Sequence, residues 1–205
     1  MFVEIFFIFI APVLAVKFYK GSWKYWALLL FLFVVIAASI SAYSNGLSFH
    51  QMGIRSDNLL QAITLYIPFV VLSVLVLRGC SYLLRTKRIT PWRGYPLFIP
   101  VAIFLSVGQQ FLYQGFLFQR LTPEYGVLVA IFITALLYAF LHILFPRPVF
   151  SFVLTFVGGV MFAALFSLQP NLLVASIAHT ILNITAIQFS FLTSVKKDGL
   201  LEPLI

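Results

Sequence analysis

The chain alternates long apolar runs with short polar interruptions. The runs fall at about residues 2–16, 26–43, 59–77, 96–118, 127–145, 150–167 and 172–192. A helix needs roughly 20 apolar residues to cross the hydrocarbon core of a bilayer, and most of these runs are close to that length. Ser44-Asn45-Gly46 after the second run is a turn signal, Pro123 is placed to start the fifth, and Pro146-Arg147-Pro148 stops it. The pattern predicts an all-α, polytopic membrane protein of about seven transmembrane helices, with residues 1–205 forming a single transmembrane domain. The first run is short and contains Pro12. Its only charge is Glu4, so it lacks the basic start of a secretory leader and is read as a retained span. Pro68 predicts a kink in the third run.

Composition strengthens this reading. The 205 residues are 62% hydrophobic and 9% charged, whereas soluble domains carry about 25% charged residues. The net charge of +8 resembles a nucleic-acid signal only until the charges are located. They lie at the ends of the apolar runs, where they set orientation first and touch lipid headgroups second. With seven spans, one side of the membrane carries eleven of the thirteen basic residues: Lys17, Lys20, Lys24, Arg78, Arg85, Lys87, Arg88, Arg93, Arg147, Lys196 and Lys197. The other side has only Arg55 and Arg120. This asymmetry predicts an integral protein of the plasma (inner) membrane with a cytoplasmic C-terminus and an outside N-terminus. Tyr82, Trp92 and Tyr95 suit a headgroup-level belt beside the most basic loop. The single cysteine, Cys80, excludes an internal disulfide framework and a cysteine metal cluster.

Against this apolar background the strongly polar groups at membrane depth are few. They are Gln61, Gln109, Gln110, Gln114, His142, His179, Asn183 and Gln188. Gln110 and Gln114 are four apart and share a helix face, with Gln109 turned roughly 100° aside. His179 and Asn183 also share a face. An unpaired amide in hydrocarbon costs on the order of 1–3 kcal/mol, so these groups should turn inward towards one another. Their distribution over the fourth, fifth and seventh runs predicts one polar-lined cavity, and intramembrane ionisable residues are functional candidates by default.

Over residues 96–192 the sequence resembles the CPBP intramembrane proteases, the family of CAAX proteases and bacteriocin processing. That family carries Glu-Glu-x-x-x-Arg, Phe-x-x-x-His and His-x-x-x-Asn/Asp on successive core helices. This chain has Gln109-Gln110-x-x-x-Gln114, Tyr138-x-x-x-His142 and His179-x-x-x-Asn183, with Gln169-Pro170-Asn171 leading into the last. The resemblance implies a CPBP-type core. It also implies an intramembrane peptidase acting on a membrane-proximal peptide, prenylated or of bacteriocin type. In the family a glutamate and a histidine activate water, and a second histidine and the asparagine stabilise the oxyanion. The implied catalytic positions are Gln109, Gln110, Gln114, His142, His179 and Asn183.

The departures fall on the chemistry. A glutamine side chain cannot take up a proton near neutral pH, and losing a positioned general base typically forfeits about 10²–10⁴-fold in rate. The five acids, Glu4, Asp57, Glu124, Asp198 and Glu202, lie near span ends or in loops. Two imidazoles and neutral amides also make a poor metal site, so neither metal nor cofactor is expected. Both acids and the arginine are neutral together. That is self-consistent, because an intramembrane arginine without its counter-charge costs about 2.5–3.5 kcal/mol.

Two functions follow. One is an atypical peptidase with His179 as the base and His142 with Asn183 as oxyanion donors. The other is a non-catalytic relative that binds a membrane peptide or partner protein in the same cavity. Without the other motifs, the glutamines would read as interhelical hydrogen-bond glue. Tyr138, Gly158 and Gly159 read as packing residues, and no nucleic-acid partner is expected.

Overall fold

The computed structural model describes residues 1–18, 23–91, 96–145 and 148–192. Among these residues every regular element is helical. Helix α1 is built from Phe2–Ile5, a π turn at Phe6–Ile10 and Ala11–Phe18. It is followed by α2 (Trp23–Ser44) and α3 (Leu59–Leu83). Next come α4 (Phe98–Tyr125) and α5 (Val127–Leu144), the latter ending in a 3-10 turn at His142–Leu144. The last two are α6 (Pro148–Leu168) and α7 (Leu172–Gln188). Five helices, α2 to α6, are long and apolar enough to cross a membrane, and α7 is an apolar helix of 17 residues. The chain is an all-α, multi-pass integral membrane protein.

The start of helix α1 lies beside the ends of α2 and α4. Glu4 at its start accepts a hydrogen bond from Ser41 near the end of α2, and sits 3.8 Å from Arg120 near the end of α4. Those three ends therefore lie together, as an up-down arrangement requires. The ion pair also explains how an acid and an arginine are tolerated beside apolar helices: each supplies the other's counter-charge.

Helix α4 is the most buried of the five long spans. Its middle, Phe111–Phe118, is a π-helical stretch in which every residue from Leu112 to Phe118 is buried. Gly115 permits this, because a Cβ there would come within 3.2 Å of the Met52 carbonyl oxygen. Met52 belongs to the α2–α3 loop, which is pinned to the start of α7. The Leu172 N–H donates to the Gly53 carbonyl at 2.8 Å, and Asn171 Nδ2 donates to Asn58 Oδ1 at 2.9 Å and to the Arg55 carbonyl at 3.1 Å. Asn171 Oδ1 in turn accepts from the Val174 N–H, capping α7. In the same loop a hydrogen bond from Arg55 holds the Asp57 carboxyl down to about 2, well below the usual carboxylate range.

The structure moves several predicted boundaries. Helix α3 continues past residue 77 to Leu83, so Arg78 stands on a helix rather than in a loop. Its long side chain can carry the charge to the interface. Helix α4 runs through Pro123 instead of ending near Phe118. The Thr122 hydroxyl satisfies the Phe118 carbonyl at 2.7 Å, and the chain turns at Gly126, whose φ of 78° favours glycine. Pro148 is the first residue of α6, a position where its missing N–H costs nothing. Trp92, Tyr95, Arg93, Pro146, Arg147, Lys20, Lys196 and Lys197 lie outside the described residues.

Helix α3 ends in an unusual cap. The Thr86 N–H reaches back to the Ser81 carbonyl at 3.0 Å and the Arg85 N–H to that of Tyr82 at 3.3 Å. This closure places Arg85 at φ 48°, where glycine is preferred and a side chain costs about 1–2 kcal/mol. The following segment clasps the end of α7. The Ile89 N–H donates to the Gln188 carbonyl at 2.9 Å, and Ser190 Oγ donates to the Lys87 carbonyl at 2.7 Å.

Helices α5 and α6 approach closely at Gly159, where an added Cβ would lie 3.0 Å from Ala135 Cα and 3.1 Å from the Tyr138 ring. Gly158 faces open space, so the packing role expected of it falls to its neighbour alone. A Gly159→Val substitution should lower stability by about 1–3 kcal/mol through overpacking, while Gly158→Val should be close to neutral. Thermal unfolding of the two variants in detergent checks this, and equal effects would contradict the assigned contact.

Candidate functional site

The site is built where α4, α5 and α7 face one another. Gln110 at the last α-helical position before the π stretch, His179 in mid-α7 and His142 at the end of α5 are 1–2% exposed. Gln110 Nε2 donates to His179 Nδ1 at 2.9 Å. The Tyr138 hydroxyl lies 2.9 Å from His179 Nε2, and His142 Nδ1 lies 2.9 Å from the Tyr138 carbonyl oxygen. The Tyr138 ring sits between the histidines, its centroid 4.8 Å from that of His142 and 5.6 Å from that of His179. Phe162 and Tyr113 pack against the edges of this group, 5.4 Å from the His179 ring and 5.2 Å from the Tyr138 ring.

The carbonyl contact fixes the proton of His142. A carbonyl only accepts, so His142 Nδ1 carries hydrogen and the neutral ring keeps its lone pair on Nε2. With the amide nitrogen of Gln110 facing it, His179 Nδ1 is the acceptor and its proton sits on Nε2, towards the Tyr138 oxygen. Even with the amide turned the other way, both ring nitrogens of His179 are engaged. The two histidines therefore present opposite characters: His142 an acceptor, His179 a committed ring.

One turn along, Asn183 Nδ2 donates to the fully buried Ser106 Oγ at 3.2 Å. Positions 106 and 110 of α4 thus pair with 183 and 179 of α7, two successive rungs between antiparallel helices. The next step on α4 is Gln114, whose buried Oε1 has no hydrogen-bond partner in the protein. The same is true of Gln110 Oε1 and Gln109 Oε1.

Of the six positions singled out from the sequence, Gln110, His142 and His179 join one network. Asn183 lies on the same α4–α7 seam, hydrogen-bonded to Ser106. Gln114 is buried a turn away, and Gln109 is half-buried to the side, as its azimuth predicts. Two other expectations are corrected. Gln61 is exposed on α3. Gln188 lies at the end of α7, where its amide oxygen, turned towards Arg88, accepts from Nη2 and Nε at 3.1 and 3.2 Å. Neither belongs to the buried set.

Tyr138 is the residue that sequence reasoning missed, since it was assigned to packing. The signal was present: a phenolic hydroxyl inside a membrane needs a partner, and it stands four residues from a histidine. Ser106 was hidden among many serines and carried no such signal.

A bundle of apolar helices enclosing a histidine–amide–phenol network defines a membrane protein with an intramembrane polar site. Residues 90–185 match the family described as Rce1-like, type II CAAX prenyl endopeptidase Rce1-like, a stretch that contains every residue of the network. That match spans a little under half of the chain, and it is this segment that is similar to the family. No curated protein and no solved structure matches the chain.

The geometry assigns His179 to Gln110 rather than Gln109. A double-mutant cycle of Gln110→Leu with His179→Leu should give a coupling of about 0.6–2 kcal/mol in detergent stability, and Gln109→Leu with His179→Leu a coupling near zero. The reverse ranking would refute the pairing.

Proposed function

We propose that this protein is a non-hydrolysing member of its family. In this reading it holds a membrane-proximal peptide, prenylated or of bacteriocin type, against the buried α4–α5–α7 face. The observation that carries this is the coupling of two departures from the family motif through one imidazole. A carboxylate at position 110 would accept from His179 Nδ1–H and leave Nε2 as an acceptor. The amide of Gln110 does the opposite, putting the proton on Nε2. A proton there needs an acceptor, and Tyr138 supplies one where the family motif has phenylalanine. The ring is thereby tied at both ends, and neither of its nitrogens is left for an activated water. Asn183, engaged by Ser106, is likewise not directed at a reacting carbonyl.

A second reading has one specific observation in its favour. The His142 tautomer leaves Nε2 as an acceptor, so His142 rather than His179 is the ring that could serve as a base in a peptidase. Both readings use Gln109, Gln110, Gln114, His142, His179 and Asn183 as the lining of the substrate or partner site.

The experiment restores the chemistry. Gln109→Glu, Gln110→Glu and Gln114→Arg are introduced together, because two buried carboxylates without a counter-charge cannot both ionise. Tyr138→Phe is added to release His179. The unmodified chain should bind but not cleave a membrane-reconstituted farnesylated Cys-a-a-X reporter peptide, and the fourfold variant should cleave it. Cleavage by the unmodified chain that is abolished by His142→Ala would replace the binding reading with the peptidase one.

In the same proposal the protein lies in the plasma (inner) membrane, with the C-terminus cytoplasmic. Single cysteines placed in a Cys80→Ser background test the topology. Labels at residue 2 should react only from outside, and at residue 87 only from inside. Accessibility of both from one side would remove the orientation.

A further inference from the structure

We propose that the cleft at the C-terminal end of α3 binds the phosphate of an anionic membrane lipid, with Arg78 and Arg85 supplying the charge. The cleft is open and encloses about 690 Å³, lined by Arg78, Ser81, Tyr82, Arg85, Thr86 and Phe189, with Leu83 at its edge. Two arginines, a serine and a threonine thus line it, and no acidic residue does among the described residues. That donor set matches a phosphodiester, for which guanidinium forks are well suited. The two hydroxyls are held together, Ser81 Oγ and Thr86 Oγ1 lying 2.7 Å apart.

Arg85 supplies an independent argument. It occupies the left-handed position of the helix cap, at φ 48°, where a glycine would relieve the backbone. A charged side chain held in an unfavourable backbone state points to a role for that side chain. The strain also has a geometric effect. It folds Thr86 back onto Ser81, which brings its hydroxyl and the Arg85 side chain to the same cleft as Arg78.

The surroundings identify the source of the phosphate as lipid. Tyr82 and Leu83 are 84% and 77% exposed, beside a helix that is apolar enough to cross the bilayer. A tyrosine at this level belongs to the headgroup region, and the apolar surface next to it suits an acyl chain. Lys87 and Arg88 follow in the same segment, a density of basic charge of the kind that anionic headgroups attract. Phe189, which closes the cleft, follows directly on α7, so an occupied cleft would bridge the ends of α3 and α7.

The test uses the full chain in nanodiscs and detergent with phosphatidylglycerol as the probe and phosphatidylcholine as the control. Native mass spectrometry should find phosphatidylglycerol retained in preference to phosphatidylcholine. Arg78→Gln and Arg85→Gln should each weaken that retention about fivefold. Arg85→Gly separates the role from the fold: it should lose retention equally while its thermal stability in lipid-free detergent stays level or rises. Millimolar inorganic phosphate should leave the lipid bound. Retention unchanged in all three variants would overturn the site, and full displacement by inorganic phosphate would overturn its assignment to lipid.

Discussion

The absence of water in the bilayer core is the constraint on which the rest of the structure depends. A polar group that enters it without a partner is costly, which favours pairing within the protein. Here that partnering concentrates on one imidazole, His179, whose two nitrogens are bonded by residues from two other helices, Gln110 and Tyr138. Three helices meet at a single five-membered ring. The close approach at Gly159 sets the Tyr138 ring, the Ser106–Asn183 bond sets the α4–α7 seam, and the capped start of α7 sets the depth of the histidine. Loosening any of these would expose a buried polar atom to hydrocarbon.

The helical architecture was largely legible in the sequence, because a bilayer leaves a chain with long apolar runs few alternatives to spanning helices. Boundaries were less legible where a rule of thumb competed with a local bond. Pro123 reads as a helix start, but α4 continues through it to Tyr125 and the chain turns only at Gly126. Arg78 reads as the end of a span, yet its stem stays on α3. The buried set was legible as a list of residues rather than as contacts. Azimuth alone separates Gln109 from Gln110, but only the position of α7 decides which amide meets the histidine. Gly158 and Gly159 are likewise indistinguishable in sequence, since which one faces α5 is a property of the assembled pair. Tyr138 was misjudged because a motif position normally filled by phenylalanine invites a packing reading, which discounts the hydroxyl.

The charges follow the same economy. Glu4 and Arg120 stay near the ends of their helices and neutralise one another. The interior of α4 carries three amides, Gln109, Gln110 and Gln114. An amide can be both donor and acceptor without a counter-ion. The cost is visible in the buried amide oxygens of Gln109, Gln110 and Gln114, which the protein itself leaves unpaired.

The wide turn in α4 has a consequence for how that helix serves two neighbours at once. In an unbroken α-helix, residues ten positions apart, such as Gln110 and Arg120, differ by roughly 80° in azimuth. A π stretch absorbs the equivalent of one extra residue, which widens the difference to about 180°. The first half of α4 can then aim its amide at α7 while the second half aims its guanidinium at α1, on the opposite side of the same rod. Phe111–Phe118 acts as a phase shifter, and it lets one helix serve as the common axle of the histidine site and of the N-terminal helix.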